Sequence, residues 1–534
     1  MVTNRTWTFI GIISVTVILG LSNNLCRAEV LGFEIDDVGL GDGRQPNRNF
    51  MRNGSNDQVP FGADSIYDTA EYALGSYTHN ILFIQDDQLR DLDDREHPKV
   101  SPDDCDTINC GVVHWSQSML DSRTQRVEES ASYWNEESES RHHPGAQLDI
   151  TVHFTNDIYN EGAPFTVDDI GNTSSSVGFV DALSLIDPDY AQYSSFSTAT
   201  RHFNDDIRRA KNSHWAVTTF IKPYYGRASA SINGPYTKGY EDDPSWTYLH
   251  ELGHVFGALD EYGSHETDEI SGYLHTYNTN AANLPGGEEP NENSISAVMK
   301  THGVHAISDG TLDAIGWRDT NENTIPDILD TNPTLIADTS NSQPAERIFQ
   351  AQINTSVSPL VSLDPAEGDY TINTLTSAQY RVNRELWTNL LPVDGGFGDY
   401  TEEFLVERAF SIEGNHYIDF RITNSVGNYT QQRFEFVALP DPVVIPGDAN
   451  ADGLVDITDL GIVGVNFNIT GAEFSDGDFN SDLIVDIEDL GILGANWSTA
   501  QEPSLVPEPT SFGLLIGAMG CLTRPRRSTG HFTS

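Results

Sequence analysis

The thirteen residues His250–Tyr262, HELGHVFGALDEY, constrain this chain more than any other stretch. On a helix, His250 and His254 stand four apart, on one face and one above the other. Glu251 follows the first histidine directly. Two imidazoles at this spacing can hold a zinc ion, with the glutamate as general base on its water. A helix running straight on past His254 would point Asp260 about 120° away from the histidine face, at roughly 100° per residue. Gly257 permits a backbone turn that ends the helix and returns Asp260 to the histidines. A hard carboxylate oxygen suits zinc as third ligand and leaves a fourth position for water.

H-E-x-x-H-x-x-G-x-x-D resembles the metzincin zinc metalloproteases, in the variant whose third ligand is aspartate. The Glu261-Tyr262 that follows is similar to IgA-peptidase-like members. The resemblance implies one catalytic zinc on His250, His254 and Asp260, with Glu251 taking the water's proton and passing it to the leaving amine of a protein or peptide substrate. It also implies a methionine turn beneath the metal, for which Met299 in Ser296–Met299 is the candidate. Some metzincins carry a tyrosine two residues after that methionine; this chain has Thr301, so no such role is assigned. His302 and His305 are nearby alternatives as ligands.

Composition sets the frame. At 534 residues the chain should hold about three or four domains. Its net charge of −51, from 29 basic and 80 acidic residues, offers no basic footprint for nucleic acid. It does offer many carboxylates to calcium. Residues 1–28 read as a secretory signal: Arg5, an apolar run Phe9–Leu21, and a cleavage site at Cys26-Arg27-Ala28. Export would place Cys105 and Cys110 in an oxidising compartment, where they pair. The alternative is a cysteine thiolate capping the zinc of a latent precursor. Residues 29–120 read as an irregular acidic region, a candidate propeptide.

From residue 121 to about 330 the pattern is α/β. Helices are expected at Arg126–Glu137 and Phe203–Ser213, strands at Leu148–Phe154 and Ala216–Tyr225. A short alternating stretch, Ala228–Ile232, is the candidate for the antiparallel edge strand that binds extended substrate in metzincins. Asp243 should cap the histidine helix, with Pro244 at its first position. At the domain's end, Asp319, Asn321, Asn323, Asp327 and Asp330 alternate oxygen donors and resemble a calcium loop of the thrombospondin type 3 kind. Thr324 stands where glycine is usual.

Residues 331–356 are rich in Thr, Asn, Ser and Gln and read as linker. Residues 357–440 show short alternating strands broken by turns, as in an immunoglobulin-like β-sandwich.

An internal repeat follows. GDANADGLVDITDLGIVGVNF (residues 447–467) recurs as GDFNSDLIVDIEDLGILGANW (residues 477–497), with thirteen of twenty-one positions identical. Each copy fills positions 1, 3, 5, 9 and 12 of an EF-hand-like loop: Asp448, Asn450, Asp452, Asp456, Asp459, then Asp478, Asn480, Asp482, Asp486, Asp489. Leu454 and Ile484 donate the carbonyl at position 7. The segment holds eleven acidic and no basic side chains, so its self-repulsion should unfold it without calcium. With aspartate at the twelfth position and too little chain before each loop for a full first helix, residues 446–500 resemble a type I dockerin. That implies two calcium ions and a cohesin-like partner, read by Ile457-Thr458 and Ile487-Glu488. The sixth position is Gly453 in one loop and Leu483 in the other.

The tail, residues 505–527, joins Val506-Pro507-Glu508-Pro509 to an apolar run and Arg524-Pro525-Arg526-Arg527. It resembles a PEP-CTERM sorting signal, processed by an exosortase in Gram-negative-type bacteria. The expectation is therefore an exported, multidomain zinc endopeptidase, extracellular or at the cell surface. Its α/β catalytic domain is followed by an all-β sandwich and a small α-helical calcium module. The alternative is a non-catalytic, calcium-dependent binding or scaffold protein with a degenerate protease domain.

Overall fold

The strand Gly75–Gln85 pairs with three others in the largest sheet among the described residues. It pairs in parallel with Leu148–Phe154 on one side and Trp215–Lys222 on the other. Its last residues also pair with Phe165–Thr166. Tyr236–Tyr240 extends the sheet in parallel beside Trp215–Lys222, and Ser229–Ala230 closes that edge antiparallel. The computed structural model describes residues 59–498, except 64, 95–96, 172–174, 365–367 and 442. It also gives the backbone of two antiparallel strands, Arg5–Phe9 and Ile13–Val17. The remainder of the expected signal (residues 1–28) and the whole sorting segment (505–527) lie outside the described residues. Among those described, no helix is long and apolar enough to cross a membrane.

The central strand corrects the boundary expected at residue 121. Residues 75–85 are a regular strand that pairs with Leu148–Phe154 and Trp215–Lys222, so the sheet draws on residues ahead of 121. A parallel strand covered on both faces carries no apolar–polar alternation to read. Thr78, His79 and Asn80 are buried within it and find partners on its neighbours. His79 meets Thr219 at 2.7 Å, Thr78 meets Ser213 at 2.9 Å, and Asn80 meets His153 at 3.0 Å.

Successive strand residues face opposite sides of a sheet. Trp215 and Val217 join one core, with Trp134, Leu249, Phe256 and Met299. Ala216 and Phe220 join another, with Phe179 and Phe203. The first core seats the helices Gln117–Arg141 and Ser245–Val255, linked by the Trp134 indole donating to the Leu249 carbonyl at 3.3 Å. The second seats Phe179–Ile186 and Phe196–Lys211. Cys105 and Cys110 are joined in a disulfide with Cα atoms 5.3 Å apart, so neither carries a free thiolate.

Beyond the six-stranded sheet, Thr334–Asp338, Ile348–Ser356 and Thr401–Ala409 form one antiparallel sheet. Thr388–Leu390, Leu375–Val382, Gly414–Asn424 and Tyr429–Ala438 form a second. The expected linker, residues 331–356, thus contains two strands of the sandwich. In Ile348–Ser356 the buried positions are Phe349, Ala351, Ile353 and Thr355. The Gln and Asn between them face outward, and it is their polarity that mimics a linker. Asp369–Ile372 forms no strand and contributes a single bridge from Thr371 to Phe61.

A second unit comprises residues 344–347, 410–414 and 437 onward. Its repeats are two loop–helix pairs, with helices Ile457–Asn466 and Ile487–Ala495. They close on a small core that includes Val455, Val463, Phe479, Val485 and Leu493.

Candidate metal centre

The helix Ser245–Val255 starts without the expected cap. Pro244 takes the capping position, which has no side-chain hydrogen bond. The Asp243 carboxylate instead accepts the Tyr240 N–H at 2.6 Å. The helix end follows expectation more closely. Gly257, at φ +103°, donates to the His254 carbonyl and Ala258 to the Gly253 carbonyl, at 3.0 and 2.9 Å. These two bonds define a Schellman motif, which needs the left-handed conformation glycine adopts freely. A β-carbon at Gly257 would also come within 3.0 Å of Gly272 and 3.2 Å of the Ala314 carbonyl.

The turn brings Asp260 to the histidines. Its Oδ1 lies 3.1 Å from His250 Nε2 and 3.3 Å from His254 Nε2. The two rings are 4.8 Å apart and nearly perpendicular. His250 Nδ1 is 2.9 Å from the Val298 carbonyl, and His254 Nδ1 is 2.8 Å from that of Ala258. A carbonyl only accepts, so each Nδ1 carries a proton, and in the neutral rings each Nε2 presents a lone pair. Three acceptor atoms then converge, and Asp260 Oδ1 is buried with no hydrogen-bond donor. Such an arrangement calls for a cation, and backbone carbonyls fixing the far nitrogen of each ring are what metal-binding histidines use. Two nitrogens and a carboxylate oxygen fit zinc with one position left open.

Glu251 lies beside them, 7% exposed, with Oε2 buried and unpartnered. Burial pushes its carboxyl pKa up, with His254 and His250 pulling the other way. All four residues line a cleft of about 1190 Å³, which the edge strand Ser229–Ala230 also lines.

Met299 is fully buried, and a β-carbon placed on Gly253 would come within 2.6 Å of its sulfur. The turn it belongs to also supplies the Val298 carbonyl to His250. His302 stacks on Trp246 at 4.8 Å and His305 packs on Tyr133 at 5.2 Å, so neither joins the cluster.

Three residues take parts that the sequence analysis did not assign. Glu261 is wholly buried, and its carboxylate accepts from Asn280 at 2.6 Å, from Thr311 at 2.9 Å and from Ser308. It anchors the segment that carries Asp260. The Tyr262 hydroxyl accepts from Arg227 at 3.2 Å, and both residues line the cleft. Tyr262 adjoins the motif in sequence; Arg227 gives no local signal.

The three loops expected to bind calcium share one backbone scaffold. Asp448 accepts the N–H groups of Asp452 and Gly453 at 3.2 and 2.9 Å. Asp478 accepts those of Asp482 and Leu483 at 3.2 and 2.8 Å. Asp319 accepts those of Asn323 and Thr324 at 3.2 and 2.7 Å. The sixth residue has positive φ each time: Gly453 +87°, Leu483 +70°, Thr324 +70°. Asp459 and Asp489 are wholly buried at the twelfth position. Each accepts from the ninth-position N–H, of Asp456 or Asp486, at 2.9 Å. The loop Asp319–Asp330 differs at its far end: Asp327 pairs with Arg318 at 2.8 Å, and Asp330 accepts from Asn321, Asn323 and Asn428.

No known protein family and no curated protein matches the chain. Among solved structures, wild-type OgpA from Akkermansia muciniphila is 9% identical over 69% of this chain and 94% of its own, at TM-score 0.18. Catalytically inactive OgpA in complex with an O-glycopeptide substrate gives the same identity and coverage at TM-score 0.16. The ApaA protein from Bordetella pertussis is 14% identical over 21% of this chain and 94% of its own, at TM-score 0.14. Similarity at these scores leaves the reading of the site to its own geometry.

Proposed function

We propose that the chain is a zinc-dependent endopeptidase of the metzincin type. The observation that carries this reading is the convergence of His250 Nε2, His254 Nε2 and Asp260 Oδ1, with both Nδ1 atoms already committed to carbonyls. A zinc ion held by these three supplies a Lewis acid that acidifies water and polarises a scissile carbonyl. Glu251 is the base that takes the attacking water's proton and returns it to the leaving amine. Burial shifts its pKa upward, the direction that favours a group that must accept that proton. The exposed side of Ser229–Ala230 pairs with an extended substrate backbone. Tyr262, held by Arg227 at the cleft wall, is the candidate donor to a substrate carbonyl, a role that Thr301 does not provide.

The C-terminal repeats act in this reading as a calcium-dependent docking module. Ile457 and Ile487, 69% and 67% exposed, meet a cohesin-like partner together with Thr458 and Glu488. The loop Asp319–Asp330 holds a further calcium. The terminal signals send the protein to the cell surface through an exosortase.

The test is zinc content and casein hydrolysis of the full chain beside Glu251→Ala and Asp260→Ala. One zinc per chain is expected, with Glu251→Ala inactive but zinc-loaded and Asp260→Ala losing both. A chain that binds no zinc sinks the reading and leaves the non-catalytic binding protein.

A further inference from the structure

A second group of acids converges far along the chain from the histidine cluster. Asp394 and Asp399 belong to the glycine-rich connection 391–400 of the sandwich, and Glu402 to the strand Thr401–Ala409. One carboxylate oxygen of each lies within 4.8 Å of the others. The two aspartates are exposed, but Glu402 is only 5% exposed, and its Oε1 is buried with no hydrogen-bond partner. A buried carboxylate oxygen left unpaired is costly, and two further carboxylates beside it add repulsion. Burial, then Asp394 and Asp399, push the Glu402 carboxyl up to about 7, and no basic side chain is among the groups acting on it.

We propose that Asp394, Asp399 and Glu402 form a calcium site of the β-sandwich. Two oxygens bound to one calcium at about 2.4 Å stand no more than about 4.8 Å apart, so the observed spacing admits a shared ion. The donors are all carboxylate oxygens, which suit calcium and disfavour zinc or copper. A groove of about 600 Å³, lined by Asp394, Glu402 and Glu403, admits the waters that complete an irregular shell. Calcium tolerates such a shell, whereas magnesium demands a near-ideal octahedron. The ion would tie the connection to the strand, beside the bond from Val393 N–H to the Glu403 carbonyl at 2.8 Å.

The site is tested by counting calcium on the full chain at 1 mM free calcium after chelator stripping. Wild type is compared with Glu402→Gln and with Asp399→Asn, the latter an exposed residue whose change leaves the core intact. The same pair is made in a chain whose repeat loops are disabled by Asp448→Asn and Asp478→Asn. Each variant is expected to bind one calcium fewer than its parent in both backgrounds, with zinc content unchanged. An equal count in parent and variants overturns the proposal. So does a calcium-induced rise in melting temperature that Glu402→Gln leaves undiminished in the loop-disabled chain.

Discussion

The sulfur of Met299 fills the space that a β-carbon on Gly253 would need, 2.6 Å from where that carbon would be. Gly253 immediately precedes His254, so the methionine presses on the helix between its two histidines. Gly253→Ala should cost ~1–3 kcal/mol through overpacking and weaken zinc binding in a chelator competition. In a Met299→Ala background the added methyl finds room, and the two changes together should cost less than their sum. Strictly additive costs would show that the sulfur is not the obstacle.

Glu261 tests whether the anchor of Asp260 matters to the metal. Glu261→Ala leaves the donors of Asn280, Ser308 and Thr311 facing an empty space. The expected loss is about 3 kcal/mol. Zinc affinity should fall as well, although Glu261 touches neither histidine of the cluster. A variant that melts lower but holds zinc as tightly as wild type would make Glu261 a purely structural anchor.

Asp243 should make stability depend on pH. Burial raises its carboxyl to about 8, opposed by the Tyr240 N–H and reinforced by Asp242 and Glu251. An unfolded aspartate titrates at about 3.9, so between the two values the folded chain binds the extra proton. The stability this contributes is complete below about pH 4 and is lost as pH rises through 8. Asp243→Asn keeps an oxygen for the Tyr240 N–H and removes the titration. Its stability should gain on wild type from pH 4 to 8 and hold that lead above, by at least about 1 kcal/mol. Melting curves across the series would show a constant gap if the carboxyl were ionised throughout.

Leu483 holds φ +70° where the sister loop has Gly453 at +87°. A non-glycine residue in that region costs roughly 1–2 kcal/mol. Leu483→Gly should therefore tighten calcium binding by the second loop about tenfold, and Gly453→Leu should loosen the first to a similar degree. Calcium titration followed by Trp497 fluorescence distinguishes this from loops limited by their ligands, for which neither change would move the midpoint.

How much of this was legible depended on how local each cause was. His250, His254, Gly257 and Asp260 fall within eleven residues, and one helix turn plus one left-handed glycine relates them. The repeated loops announced themselves for the same reason, each carrying its oxygen donors on twelve consecutive residues. Glu261 could not be read, because its partners stand 19, 47 and 50 residues away. Gly75–Gln85 was missed because its buried Thr78, His79 and Asn80 look like surface until Ser213, Thr219 and His153 are placed beside them. Ile348–Ser356 reads as a linker because its outward Gln350, Gln352 and Asn354 outweigh the apolar residues between them.

Tyr273 donates its hydroxyl proton to the Leu360 carbonyl at 2.8 Å and accepts the Tyr370 N–H at 2.9 Å. Tyr370, Ile372 and Val426 belong to the same buried cluster as Trp134 and Met299. The sandwich and the six-stranded sheet therefore have no seam at which they could be cut or recombined. A chimaera or expression fragment ending near residue 330 would strip the cover from Trp215 and Tyr273. Among the described residues, the smallest inheritable piece that can keep the histidine cluster in order runs from residue 59 to the end of the last sandwich strand.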